Sequence, residues 1–128
     1  MASTKTNIQP LILAVDDDSV IRIHVKSSLK ADYQVVPMAT AKEALCFLDN
    51  NDVDLIILDI DMPETSGFEM HEAIKKNPKT KDIPLIFLTG IEDEELLAKV
   101  KSLNEDYIEK PISTDALITH VKTLLKKK

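Results

Sequence analysis

The stretch Leu55-Ile56-Ile57-Leu58-Asp59 decides how this chain folds. Four consecutive large apolar residues indicate a strand buried on both faces, because a half-exposed strand would alternate polar and apolar side chains. Two other runs, at residues 11–15 and 85–88, have the same character. Strands covered on both faces are typical of a parallel sheet with helices on either side. Asp59 would then lie at the carboxyl end of a central strand.

Helical patterns separate these strands, with apolar side chains recurring at helical spacing. The predicted stripes are Val20, Ile21, Val25 and Leu29; Ala41, Ala44, Leu45 and Leu48; a weaker one of Phe68, Met70 and Ile74; Leu96, Leu97, Val100 and Leu103; and Leu117, Val121, Leu124 and Leu125. Helix starts are predicted at a capping box of Thr40 with Glu43, and at Ser19, Ser66 and Ser113. Asn77-Pro78 and Asn104 are expected to end helices.

Two short strands, at residues 34–36 and 106–109, complete five strands that alternate with five helices. Right-handed crossovers then predict an α/β fold: a doubly wound five-stranded parallel sheet of order 2-1-3-4-5, a flavodoxin-like three-layer sandwich. Pro37 suits only an edge or a strand terminus. We expect one domain over residues 1–128, with a core of about 11–125, an N-terminal extension at 1–9 and a basic tail at 126–128.

Composition narrows the functional classes. The 128 residues carry a net charge of -6, which disfavours nucleic acid as a partner. No apolar run reaches the roughly 18 to 20 residues of a membrane span, and the polar N-terminus does not resemble a secretory signal, so we expect a cytoplasmic protein without membrane insertion. The single Cys46 is expected to pack in the core. The three histidines have no ligand-like spacing and are expected to be surface or boundary side chains: His24, His71 and His120.

Charged and hydroxyl side chains follow the predicted strands, at the sheet edge where ligands bind in such folds. Asp16, Asp17 and Asp59 would share one crevice, and their mutual repulsion implies a divalent cation. Oxygen ligands favour Mg²⁺, with Mn²⁺ as the alternative. With Lys110 and Thr89 added, the crevice would suit a tetrahedral dianion, and a phosphoryl group on Asp59 is the expected occupant.

Four motifs in this order and at these separations resemble the receiver domains of two-component response regulators. The motifs are Val15-Asp16-Asp17-Asp18; Leu58-Asp59-Ile60-Asp61-Met62-Pro63 followed by Gly67; Leu88-Thr89-Gly90; and Tyr107-Ile108-Glu109-Lys110-Pro111. The resemblance covers essentially the whole chain from about Leu11 to Leu125. It implies a signalling switch in a phosphorelay, in which a sensor histidine kinase or a histidine phosphotransfer protein donates a phosphoryl group.

The resemblance also implies a role for each motif residue. Asp59 would be the phosphoacceptor, Asp17 a direct Mg²⁺ ligand and Asp16 a ligand through water, with the backbone carbonyl of Asp61 as a further ligand. The remaining implied roles are a phosphoryl contact from Lys110, which would precede a cis bond to Pro111; a swing of Thr89 towards the phosphoryl group; an inward turn of Tyr107; and a small residue at Gly90.

The implied output is binding of a downstream protein through the face formed by the fourth helix, fifth strand and fifth helix. Since no effector domain follows Leu125, a stand-alone regulator is expected. It would be no enzyme, apart from self-phosphorylation by small acyl phosphates and autodephosphorylation. The loop at residues 103–106 departs from the Gly-Ala pair of many relatives. Asp61 and Ile91 occupy positions that in this family influence how water reaches the acyl phosphate.

Two alternatives remain at this point. The strand with Asp59 and Asp61 also resembles the signature of haloacid-dehalogenase-type phosphatases, although there the acidic metal-binding pair comes later in the chain rather than before. The other alternative is a phosphorylation-independent scaffold with a receiver-like fold. The presence of every charged group that phosphoryl chemistry requires argues against the scaffold.

Overall fold

The computed structural model describes residues 9–62, 66–90 and 94–126 and contains five strands and five helices in alternation. The strands are β1 (Leu11–Val15), β2 (Gln34–Met38), β3 (Leu55–Asp59), β4 (Leu85–Thr89) and β5 (Asp106–Glu109). The helices are α1 (Ser19–Leu29), α2 (Ala41–Asn50), α3 (Gly67–Lys76), α4 (Glu94–Ser102) and α5 (Thr114–Lys126).

All neighbouring strands are parallel, and the sheet order is β2-β1-β3-β4-β5. The predicted doubly wound fold is therefore confirmed. Successive strands are added first on one side of β1 and then on the other, so the connections diverge between β1 and β3 and open the crevice that such folds use for ligands. Pro37 lies in β2, an edge strand, where its missing N–H costs no central ladder bond.

Alternation along the central strands divides the apolar residues between two cores. On one face, Leu13, Ile56, Leu58 and Phe87 pack with side chains of α2, α3 and α4. On the other, Ile12, Ile57, Ile86 and Leu88 pack with side chains of α1 and α5. Both faces are covered by helices, which explains the continuous apolar runs.

Three strands extend further than the sequence predicts. The prediction ended β2 at Val36, whereas the strand continues to Met38. The prediction ended β3 at Leu58 and β4 at Leu88, whereas Asp59 and Thr89 are the last strand residues. Asp59 is in register with Leu88, and Thr89 with Glu109. Ladder pairing thus carries both polar side chains to the sheet edge, where the strand fixes their main-chain positions.

The helix starts largely follow the predicted caps. Ser66 and Glu69 form a reciprocal capping box at α3, and the hydroxyls of Thr40 and Ser113 accept amide hydrogens at α2 and α5. The prediction for Ser19 is wrong, because Asp18 is the N-cap of α1 and its carboxylate accepts from Val20 N at 2.9 Å. Asn77 ends α3, and Asn104 has the left-handed φ of 58° that follows α4.

Four side chains differ in exposure from what we expected. Leu96, predicted as part of an apolar stripe, is 40% exposed. Val20 is 69% exposed, and Cys46 is exposed as well. At about 100° per residue, Val20 is turned far from Val25, and Cys46 far from Ala41, so neither shares the core-facing side of its helix. His71 differs in the opposite sense, since it is 8% exposed and its ring lies 5.3 Å from that of Phe87.

No helix among the described residues is long and apolar enough to cross a membrane. Residues 1–8 of the expected N-terminal extension and 127–128 of the basic tail lie outside the described residues, as do Pro63 and Ile91.

Candidate functional site

The loop after β1 presents three consecutive carboxylates and is held by main-chain contacts. Asp16 N donates to Met38 O of the edge strand at 3.1 Å, and Asp18 N donates to Asp16 Oδ1 at 2.9 Å. Arg22 of α1 donates from its guanidinium to Asp16 O at 2.8 Å. Asp16 is buried, whereas Asp17 is exposed, so the loop offers one carboxylate from the interior and one from the rim.

Asp59, at the end of β3, is 1% exposed and accepts a hydrogen bond from Asp61 N at 3.3 Å. Behind it, the first turn of α3 packs directly on the strand end. A Cβ at Gly67 would lie 2.5 Å from Asp59 O and 2.6 Å from Ile60 Cα. Only glycine permits this approach, which gives a physical reason for the glycine in the second motif.

Lys110 is carried into the site by the end of β5. Its main-chain N donates to Thr89 O at 2.8 Å, and its Nζ lies 3.1 Å from Asp59 Oδ1 and 3.3 Å from Asp16 Oδ2. Asp16 Oδ2 is fully buried and makes no hydrogen bond. Its contact with the Lys110 ammonium is therefore an ion pair without hydrogen-bond geometry. The Lys110–Pro111 peptide bond is cis, as the resemblance implied.

These groups line an open cavity of about 610 Å³. Of the predicted site residues, the structure brings six to this cavity: Asp16, Asp17, Asp59, Asp61, Gly90 and Lys110. Thr89 is buried directly before Gly90, and Tyr107 is partly buried against the core on the α3 and α4 side. Pro111 is exposed beside the site. Thr89, Tyr107 and Pro111 are not among the side chains that line the cavity.

Burial and like charge control the electrostatics of this site. Removal from water and the neighbouring Asp16 raise the pKa of Asp59 from 3.8 to about 6, although Lys110 and the Asp61 amide oppose the rise. Burial alone would lower the pKa of Lys110, but the charges of Asp59 and Asp16 outweigh it and raise that pKa. The ammonium therefore stays charged between two carboxylates that repel each other.

The donor set fits a hard divalent cation. One carboxylate oxygen from each of Asp16, Asp17 and Asp59 lies within 4.8 Å of the others, and all are oxygen donors of the kind that Mg²⁺ prefers. Burial first, and then the charge of Asp16, raise the pKa of Asp59 in spite of the neighbouring Lys110 ammonium. A cation at this cluster would remove the remaining repulsion.

Several residues that line the cavity were not predicted from the sequence as site residues. Ser66, Phe68 and Leu96, from the N-terminal end of α3 and from α4, also line the cavity. The Phe68 ring stands 6.0 Å from that of Phe87, and Lys99 Nζ lies 4.3 Å above it. Phe68 and Leu96 were predicted only as parts of apolar stripes. Helical periodicity does not reveal that a stripe ends at the rim of a cavity.

The atypical loop at residues 103–106 has a definite anchor. Glu105 accepts from Lys75 Nζ at 2.9 Å and lies 2.8 Å from Nε2 of the buried His71. Burial alone would raise the pKa of Glu105, but these bonds from His71 and Lys75 lower it. Asn104 supplies the left-handed turn before it. Through Glu105, the loop at residues 103–106, where many relatives have a Gly-Ala pair, is therefore tied to α3.

Comparison with known proteins places this geometry in a family. The family model of the response regulator receiver domain matches residues 12–122. A probable cyclic di-GMP phosphodiesterase of Vibrio cholerae is 40% identical over 123 residues, which are 94% of this chain and 27% of that protein. An uncharacterised 14.6 kDa protein of Leptolyngbya boryana is 35% identical, over 89% of this chain and 88% of that protein.

Solved structures agree. The chemotaxis protein CheY4 of Vibrio cholerae superposes with a TM-score of 0.83 at 30% identity, covering 91% of this chain and 99% of that one. The chain spans only 8% to 53% of the length of seven curated relatives that it matches. In these seven relatives the chain therefore corresponds to only part of a longer protein. The chain belongs to the response regulator receiver domain family.

Proposed function

We propose that Asp59 accepts a phosphoryl group from a sensor histidine kinase or a histidine phosphotransfer protein, and that this modification switches a partner-binding face. The observation that carries the proposal is the position of Lys110 Nζ, 3.1 Å from Asp59 and 3.3 Å from Asp16 at one end of an open cavity. A carboxylate nucleophile and a fixed cation next to it are what transfer of a phosphoryl group requires.

In the proposed reaction a carboxylate oxygen of Asp59 attacks phosphorus, and the P–N bond of the donor phosphohistidine breaks as the new P–O bond forms. The imidazole leaves with the electron pair. Lys110 holds a phosphoryl oxygen and offsets its negative charge, while the main chain at Gly90 leaves space beside the group. Asp59 is the residue proposed to attack, because it occupies the phosphoacceptor position of the receiver motif and lines the cavity with Lys110 Nζ 3.1 Å away.

Asp16, Asp17 and Asp59, with the carbonyl of Asp61, are the groups that would hold Mg²⁺ or, as an alternative, Mn²⁺. When bound, the cation supplies positive charge shared between the carboxylates and the phosphoryl oxygens. Asp17, on the exposed rim, remains open to an arriving cation. Asp16, buried and next to Lys110, orients the ammonium.

Thr89 and Tyr107 are the proposed moving parts. Thr89 ends β4 next to Gly90, so a hydroxyl swing towards the phosphoryl group would draw on a residue already at the site. Tyr107 is only partly buried and lies beside β4, in register with Phe87, and we propose that its ring turns inward after phosphorylation. The face formed by α4, β5 and α5 would carry the change to a downstream protein.

Intact-mass measurement after incubation with acetyl phosphate tests the proposal. Wild type with Mg²⁺ should gain the mass of one phosphoryl group, whereas wild type with EDTA and Asp59→Asn with Mg²⁺ should not. Asp52→Asn removes an exposed carboxylate elsewhere and serves as the matched control. A gain of the same size in Asp59→Asn would refute Asp59 as the acceptor.

The same proteins separate the alternatives. Turnover of ordinary phosphomonoesters by wild type, lost in Asp61→Asn, would indicate a phosphatase of the haloacid-dehalogenase type. Partner affinity that is equal in wild type and Asp59→Asn, with and without phosphodonor, would indicate a scaffold. We expect neither, because the acidic pair precedes Asp59 and the chain belongs to the receiver family.

A further inference from the structure

We propose that α1 is a brace that aligns the two halves of the phosphorylation site, with Arg22 and His24 as positioning residues. Arg22 would hold the loop that carries Asp16 and Asp17, and His24 would hold the segment that carries Lys110. This inference rests on the proposed function of Asp59. Neither residue lines the cavity, so each would act only through the main chain that it binds.

The Arg22 arm closes the carboxylate loop onto the helix. Its guanidinium donates to Asp16 O at 2.8 Å, and its main-chain N donates to Asp18 O at 3.1 Å. Asp18 itself caps α1 by accepting from Val20 N. The main chain of residues 16–18 is thus attached to α1 at both ends. A charged donor makes the first of these bonds stronger than a neutral one.

The His24 arm reaches the lysine segment from 88 residues away in sequence. His24 Nε2 lies 2.9 Å from Ile112 O, and because a carbonyl only accepts, Nε2 is the donor in this bond. Four residues further along α1, the hydroxyl of Ser28 lies 3.1 Å from that of Thr114. The neutral Nε2–H imidazole and the protonated ring both donate here, so the tie does not depend on the charge of His24.

Lys110 is fixed from both sides as a result. Its main-chain N donates to Thr89 O, and two residues later Ile112 O is held by His24. The ammonium contacts with Asp59 and Asp16, at 3.1 and 3.3 Å, leave little tolerance for a shift of this segment. Displacements of about 1 Å at supporting residues can cost about a hundredfold in rate.

The two arms predict different kinetic defects. Arg22→Met should weaken Mg²⁺ binding about tenfold, the size typical when support behind metal ligands is removed. It should leave the rate of phosphorylation by acetyl phosphate at saturating Mg²⁺ within about twofold of wild type. His24→Leu should show the reverse: a rate about tenfold lower at saturating Mg²⁺, with Mg²⁺ affinity within about twofold.

A matched pair tests whether the hydrogen bond of His24 is responsible. His24→Gln keeps a hydrogen-bond donor and should be phosphorylated at the wild-type rate. His24→Glu, which is isosteric with the glutamine variant, lacks a donor and should react as slowly as His24→Leu. This pair also gives an answer if the leucine variant does not fold. Lys26→Ala, an exposed change on the same helix, is the control that should match wild type. Calorimetric titration gives Mg²⁺ affinity, and time-resolved intact mass gives the rate.

The outcomes are distinct. If wild type gains no phosphoryl group with Mg²⁺, the proposed function fails. If wild type is phosphorylated but His24→Glu and His24→Gln react at the same rate, the role of His24 is overturned while the function stands. If Arg22→Met and His24→Leu lower metal affinity and rate together, in proportion to lost stability, both residues are merely structural and the brace is refuted.

Discussion

Replacing Asp59 by asparagine should stabilise the metal-free protein at neutral pH, although it removes the proposed acceptor. The carboxylate is buried next to Asp16, and its pKa is raised from 3.8 to about 6. A raised carboxyl pKa contributes stability that is fully present below the unfolded-state value and is lost as pH rises through the folded-state value. Wild type should therefore lose stability between about pH 3.8 and 6 relative to a variant that does not titrate there.

The size of the effect follows from the shift. At about 1.36 kcal/mol per pKa unit, the full penalty would be roughly 3 kcal/mol. The cavity is open to water, which screens the repulsion, so we expect about 2 kcal/mol at pH 8. Lys110 keeps Asp16 as a partner after the substitution, and no cation is left unpaired in the interior.

Urea denaturation in EDTA at several pH values between 4 and 8 measures this difference. The advantage of Asp59→Asn should be nearly constant from pH 8 down to about pH 6 and should then shrink towards pH 4. Asp52→Asn changes the net charge equally at an exposed position and should show no such trend. An Asp59→Asn variant that is no more stable than wild type at pH 8 would refute the claim that repulsion and burial dominate at this carboxylate.

Three further outcomes follow from other contacts. Mg²⁺ at a hundred times its dissociation constant should stabilise wild type by about 2.7 kcal/mol at pH 7.5, measured by thermal or urea unfolding, and should stabilise Asp59→Asn far less. Gly67→Ala should lower the free energy of unfolding by about 3 kcal/mol, because its Cβ would overlap the main chain of β3. Gly90→Ala, whose Cβ would lie 3.6 Å from Lys110, should lower it by less than about 0.5 kcal/mol. Equal urea midpoints for the two variants would contradict this. Glu105→Gln should lower the free energy of unfolding by about 1 kcal/mol at pH 7. The lowered pKa of this carboxyl gives stability that is present above its unfolded value of 4.5 and is lost as pH falls through the folded value. A loss that persists unchanged at pH 3 would exclude the ionic contacts with His71 and Lys75 as its source.

Local sequence signals predicted the sheet and much of the site because they are repeated at every strand. An apolar run followed by a polar residue gives both a buried strand and a group at its carboxyl end, as at Leu58-Asp59 and Leu88-Thr89. Right-handed crossovers narrowed the arrangement to a doubly wound sandwich, and the expected order 2-1-3-4-5 is the observed one. Asp16, Asp59 and Lys110 meet as expected because parallel strands bring their carboxyl ends to one edge.

The remaining features depend on contacts between residues far apart in the chain. Nothing near His71 in sequence indicates that Glu105 lies next to it, and nothing near His24 indicates Ile112. Val20 and Cys46 were misplaced because each is next to a side chain that packs against the core, Ile21 and Leu45, and one position along a helix rotates a side chain by about 100°. The composition of a helix does not determine whether a residue at the edge of its apolar stripe faces the core or the solvent.

The contact at Gly67 restricts how the domain can move. Main chain touches main chain there, with no side chain between them to change rotamer and absorb a displacement. We therefore expect the first turn of α3 and the tip of β3 to move together. If Asp59 is phosphorylated as proposed, we expect the resulting rearrangement to spread through β4 and β5 rather than through α3, with the glycine contact limiting movement on the other side.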